Sequence, residues 1–152
     1  MAIDDEGDEP MPGREGKEAR EARSRLENRN QPPRPEPVVV TRAYDVVRWL
    51  HERSARFPRH YRFGLADKMQ QESLTLLTAL VDASYRRERK VVLEEANLAL
   101  TRLRVLIRLA RELGCLSTKQ YLFAIEPLDE VGKMIGGWGR HDSASQKPAA
   151  VS

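Results

Sequence analysis

The sequence predicts an all-α fold, an up-down-up-down four-helix bundle over residues 38–140 with a tail on each side, 1–37 and 141–152. Three observations predict it. Between Val38 and Trp138 no strand-like alternation of useful length occurs, and helical periodicity recurs four times. The connections between the helical stretches are short, which favours antiparallel neighbours.

The N-terminal tail differs in composition from the rest. Residues 1–37 hold 10 of the 23 acids, 7 of the 26 bases and six of the nine prolines, and no aromatic residue. Asp4, Asp5, Glu6, Asp8 and Glu9 open it and "QPPRPEP" closes it. So little apolar surface cannot offset the entropy of ordering, and disorder is expected. The run "EGKEAREARSRL", Glu15 to Leu26, has helix formers but one large apolar side chain, which predicts at most a transient helix. The acidic head reads as a solubilising tail; the alternative is a charge mimic of nucleic acid that folds back on a basic domain. Residues 38–140 carry 18 bases against 12 acids, so the acidic tail precedes a basic domain. An excess of that size attracts polyanions without proving that one is bound.

The first bundle helix places Ala43, Val46, Val47, Leu50, Ser54 and Phe57 on one face, and Pro58 disfavours helical geometry at Phe57 and ends it. Trp49 falls on the opposite, charged side and is expected to lie across a neighbouring helix end. The second helix runs from near Gly64 to about Arg86, with Leu65, Met69, Leu76, Leu80 and Ala83 opposite Asp67, Lys68, Gln71, Thr75 and Asp82. "RRERK", Arg86 to Lys90, reads as a turn.

The third helix spans about Val91 to Leu113, with Gly114 placed to cap it in the left-handed conformation. The fourth starts at a Ser117–Gln120 capping box flanked by a Leu116–Tyr121 staple. Its stripe is Tyr121, Ile125, Leu128, Ile135 and Trp138, and "GGWG" is expected to stop it, leaving "HDSASQKPAAVS" as a frayed end. Pro127 lies mid-helix, where the missing N–H and the ring clash predict a kink or break.

The third helix has more than one apolar face. Val92, Ala96, Ala99, Leu103, Ile107 and Ala110 form a core stripe. Val91, Leu98, Val105, Leu106, Leu109 and Leu113 form a second set, and the two together span an arc of about 220°, about twice what a surface helix needs. Such a helix is either central in its own bundle or meets another subunit. A helix of a four-helix bundle has one inner face, so Val105, Leu109 and Leu113 are assigned to a subunit interface. Glu95 and Arg102 sit within that second face as a polar pair that could set its register. Arg104, Arg108 and Arg111 occupy the remaining arc. They are either a solvated face whose charges complement the helix dipole or a phosphate-contacting stripe, joined in the second case by Arg86, Arg87, Arg89 and Lys90.

Other function classes find little support. His51, His60 and His141 lie in different elements and form no metal-ligand spacing with acids or Cys115. No phosphate-binding glycine loop is present, and the acid pairs Glu94–Glu95 and Asp129–Glu130 are adjacent, so they point to different sides of a helix. Cys115 reads as structural. A non-catalytic protein without metal or cofactor is expected. One cysteine excludes an internal disulfide and fits a reducing compartment, and "MAIDDEGDEPMPG" lacks the features of a secretion signal, so a cytoplasmic location is expected. No apolar run approaches a membrane span, and a surface-lying membrane helix would have a single apolar face.

The runs "RFPRHYRFGLADKMQQESLTLLTAL", "LEEANLALTRLRVLIRLARELGCLSTKQY" and "LDEVGKMIGGWGR" resemble the accessory variability determinant (Avd) proteins of diversity-generating retroelements. These belong to a wider group of four-helix-bundle proteins that includes those encoded in intervening sequences of bacterial large-subunit ribosomal RNA genes. The similarity covers roughly Tyr44 to Arg140. It implies a homopentameric barrel with a basic surface, and association with a reverse transcriptase and its template RNA, or DNA, in mutagenic copying into a variable target gene. It implies no enzymatic activity. On this resemblance the second apolar face, with Arg102, becomes a subunit interface, and the arginines become contacts to nucleic acid or reverse transcriptase. Individual functional residues do not carry over, because members of the family share basic character more than fixed basic positions. The acidic, proline-rich extension and Pro127 depart from the family pattern. The competing expectation is an oligomeric scaffold with no nucleic-acid role.

Overall fold

The computed structural model describes residues 14–30 and 35–146. The acidic head from Asp4 to Glu9, Pro32 and Pro33, and residues 147–152 of the expected C-terminal tail lie outside the described residues.

Helix α1, Arg14–Asn30, is regular where the sequence predicts at most a transient helix. Its Ala, Arg, Glu and Lys residues are strong helix formers, and opposite charges recur at helical spacing, as in Lys17 and Glu21 or Glu21 and Arg25. Leu26, its one large apolar side chain, is 59 % exposed, so local propensity rather than a core accounts for this helix.

From Val38 onward the order is α2 (Val38–Ser54), a single turn α3 (Arg59–Tyr61), a π-helical turn (Arg62–Ala66), α4 (Asp67–Tyr85), α5 (Lys90–Glu112) and α6 (Thr118–Gln146). No strand occurs among the described residues. The four long helices pack in a ring in which α2 and α5 each touch both α4 and α6. Specific contacts fix the antiparallel sense. Trp49, late in α2, packs its ring 5.2 Å from that of Phe123, early in α6. Arg102, just past the middle of α5, reaches Glu72, in the first third of α4, at 3.9 Å. At the opposite end Arg89, just before α5, meets Asp142 near the end of α6. The ends of α2 and α5 and the starts of α4 and α6 therefore share one end of the bundle.

The core is where the periodicity places it. All six residues of the first predicted face are buried, as are Met69, Leu76, Leu80 and Ala83 on α4 and Leu128 and Ile135 on α6. Alanines at 79, 83, 96, 99, 110 and 124 are each at most 3 % exposed, which lets the helix backbones approach closely. Trp49 is half-buried across α6, as expected of a ring on the charged side of α2.

The turns follow from identifiable chemistry. Gly114 has φ +78°, and the Gly114 and Cys115 amides donate to the Arg111 and Ala110 carbonyls, the paired bonds of a Schellman cap. At the start of α6 the Gln120 amide donates to Ser117 Oγ and the Ser117 amide to Gln120 Oε1, at 3.1 and 3.0 Å, closing the capping box.

Of the kink or break expected at Pro127, the break does not occur, since α6 runs through the proline. The expected stop at "GGWG" fails, because the helix continues through Gly136, Gly137 and Gly139 to Gln146. Each glycine costs roughly 1 kcal/mol of helix propensity. Tertiary contacts offset that cost. Arg89 donates from Nε and Nη2 to both carboxylate oxygens of Asp142, at 2.7 and 2.9 Å, and stacks 4.6 Å over the Trp138 ring. Ser143 and Ser145 hydroxyls donate back to the Gly139 and His141 carbonyls. The segment from His141 to Gln146, expected as a frayed tail, is thus a helical extension tied to the α4–α5 turn.

Candidate nucleic-acid interface

Helix α5 carries both apolar faces that its sequence contains. Val92, Ala96, Ala99, Leu103, Ile107 and Ala110 are buried, joined by Leu93 and Leu100. On the second side Val91, Leu98, Val105, Leu109 and Leu113 are exposed, and only Leu106 is half-buried. Helix α4, the neighbour on that side, leaves Leu74, Val81 and Tyr85 exposed as well. Among the described residues of the bundle, none covers this α4–α5 surface. Its polar member is resolved differently from the expected Glu95–Arg102 pair. Arg102 points across to Glu72, a 5 % exposed carboxylate also met by Lys68 at 3.3 Å. Glu72 is a buried acid that the reading of the sequence missed; its signal is an acid on the core side of an otherwise apolar stripe.

The seven basic residues singled out from the sequence do not form one surface. Arg104 is not part of an exposed stripe. Its Nη2 lies 3.0 Å from Asp129 and donates to the Leu128 carbonyl at 3.3 Å, and Nε is enclosed without a hydrogen-bond partner. The guanidinium occupies the space over Gly132, where a Cβ would sit 2.7 Å from Nη2. A glycine on α6 therefore admits Arg104 between the two helices, and its role is structural. Arg89 is likewise engaged, in the half-buried pair with Asp142. Arg86, Arg87 and Lys90 are exposed at the α4–α5 turn, while Arg108 and Arg111 are exposed near the other end of α5. The eighteen residues from Lys90 to Arg108 span roughly 27 Å of helix, so the two groups are separate.

The end that holds Arg108 and Arg111 gains further cations. Arg53, Arg56, Arg59 and Arg62 recur every third residue through the end of α2, the Pro58 turn and the π-helical turn. Arg62 donates from Nε to the Phe57 carbonyl at 3.0 Å, Arg53 lies 5.6 Å over the Trp49 ring, and Arg111 lies 5.0 Å over the Tyr121 ring. Among the described residues no carboxylate lies within 4.0 Å of Arg56, Arg59, Arg108 or Arg111. Charges left without partners on one end attract a polyanion more effectively than paired ones. This cluster was missed from the sequence, although the spacing of 53, 56, 59 and 62 was there to see, because the run falls at a helix junction rather than along one helix face.

The Arg89 guanidinium holds the Asp142 carboxyl below the usual carboxylate range. A lowered native pKa means that the pair's contribution is complete above the ordinary carboxylate value of about 4 and lost as pH falls through the native value. The segment His141–Gln146 is therefore expected to exchange its amide hydrogens faster in strongly acidic solution and in Asp142→Asn at neutral pH; unchanged exchange in both would remove the pair from its role. Burial pushes the Cys115 thiol up, which suits a structural residue and not a nucleophile. Among the described residues no helix is long and apolar enough to cross a membrane.

The residues define a small α-helical bundle with arginines gathered at one end and a second, exposed apolar face on α4 and α5. A family model described as bAvd-like matches residues 37–141, which takes in the whole of α2 to α5 and nearly all of α6. The chain belongs to the bAvd-like family. No curated protein matches it closely enough to serve as a relative.

Proposed function

We propose that this protein is a non-catalytic accessory subunit of a retroelement reverse transcriptase, acting in the cytoplasm as a homopentamer that binds template RNA, or DNA, and supports mutagenic cDNA synthesis. The observation that carries the reading is the unpaired basic end on a bAvd-like bundle. Arg56, Arg59, Arg108 and Arg111 would contact phosphates there, with Arg86, Arg87 and Lys90 as a second group at the far end. The uncovered α4–α5 face supports assembly, because a contiguous apolar surface of this kind marks a protein–protein contact.

Two measurements test the reading. Co-expression with the reverse transcriptase of a diversity-generating retroelement is expected to yield a stable complex. Failure to co-purify, together with no RNA binding even at low salt, would sink it in favour of a scaffold with no nucleic-acid role. For assembly, Val105→Asp combined with Leu109→Asp is expected to reduce the particle seen by light scattering to a single protomer at micromolar concentration. The two side chains are 50 % and 41 % exposed in the protomer, so its helicity should be retained. A wild-type chain that is already monomeric contradicts the interface.

A further inference from the structure

The basic end contains one feature that charge alone does not explain. Phe63 is 82 % exposed, inside the π-helical turn Arg62–Ala66 and next to Gly64, whose surroundings are open. A phenylalanine this exposed buries little surface and adds little to the stability of the fold. The extra residue of a π-helical turn re-aims the side chains around it, and such turns are frequent at functional sites. Here the turn sits in "RFPRHYRFG", where Arg56, Arg59 and Arg62 alternate with Phe57, Tyr61 and Phe63. Phe57 is buried, and Tyr61 is half-buried with its ring 4.1 Å from that of His60, which leaves Phe63 as the open ring.

The register of the bundle brings the α5 arginines to the same end. Glu72 faces Arg102. The antiparallel arrangement puts the start of α4, just after Phe63, and the end of α5, with Arg111, at the same end of the bundle. An open aromatic ring thus stands at the end of the bundle that also carries Arg56, Arg59, Arg62 and Arg111.

We infer that this end of the bundle binds single-stranded nucleic acid, with Phe63 as a stacking platform for one base and the arginines of the same end on the flanking phosphates. Arginines alone would hold duplex and single strand through the same phosphates. An exposed ring adds affinity only where a base is free to leave its stack, because the bases of a duplex have both faces covered. Phe63 is therefore the residue that discriminates, and the arginines are those that attract.

The inference rests on the nucleic-acid reading above, and the test separates the two. The full-length chain and its Phe63→Ala and Phe63→Trp variants are titrated with a labelled single-stranded RNA and with a blunt RNA duplex of equal length, at matched salt. Phe63→Ala is expected to weaken single-strand binding by on the order of ten- to a hundredfold, with duplex binding and the salt dependence unchanged. Phe63→Trp is expected to restore single-strand affinity, with its fluorescence quenched on binding. Wild-type binding that Phe63→Ala leaves intact, or lowers equally for both ligands, overturns the stacking role while sparing the basic surface. Wild-type binding to neither ligand overturns both. A Phe63→Ala variant that loses its oligomeric state by light scattering puts the ring in the subunit contact and likewise overturns the inference.

Discussion

Converting Arg56, Arg59 and Arg108 to glutamate together is expected to abolish most RNA affinity near physiological salt without disturbing the fold. All three side chains are exposed, and none has a carboxylate partner among the described residues. Each phosphate contact contributes about 0.7 to the slope of log affinity against log salt for a single strand and about 0.9 for a duplex. At about 0.15 M salt that corresponds to roughly four- to fivefold per contact relative to 1 M. Three lost contacts give on the order of a hundredfold, and the repulsion of three new carboxylates increases it. The slope should fall by roughly two to three. Reversal of Arg86 and Arg87 alone should cost less, since Glu88 and Glu94 lie close to them in sequence. A triple variant that binds as the wild type does would remove this end of the bundle from the nucleic-acid contact. The same reversal at Arg104 is uninformative about nucleic acid, because it would break the contacts with Asp129 and Leu128 that hold α5 to α6.

The second large effect is on stability. Leu103→Ala is expected to destabilise the protomer by about 2–5 kcal/mol, measured by urea denaturation, because the side chain is fully buried where α5 meets its neighbours. That is a large share of the roughly 5–15 kcal/mol that holds a typical domain folded. Val105→Ala, two residues on, removes a half-exposed side chain and should change protomer stability by no more than about 0.5 kcal/mol. Equal costs at the two positions would mean that the two faces of α5 have been assigned wrongly.

Much of the fold is legible in the sequence because apolar spacing determines which side of each helix is buried. The Schellman cap at Gly114 and the capping box at Ser117 are legible for a second reason, since each is a local motif whose bonds close within a few residues. What is not legible depends on partners distant in sequence. The three glycines of "GGWG" read as a stop, whereas the helix continues past them and its far end is tied down by Arg89, 53 residues before Asp142. The position of Arg104 on a helical wheel says exposed. Gly132 and Asp129 on another helix make it structural. Helix α1 is the opposite case, where local propensity outruns the absence of a core. The site is legible in kind, as a basic surface, but not in place. Its densest part lies across a helix end, a turn and a π-helical segment, where no single periodicity connects the residues.

The central claim is that the unpaired arginines at one end of this bundle bind nucleic acid. The most direct measurement is a titration of the full-length wild-type chain into labelled RNA at four salt concentrations between about 50 mM and 300 mM. Binding whose logarithm falls linearly with log salt, with a slope of about −3 or steeper, is the predicted result, since four or more phosphates would be neutralised. Binding that is absent at the lowest salt, or that does not change across the series, would contradict it.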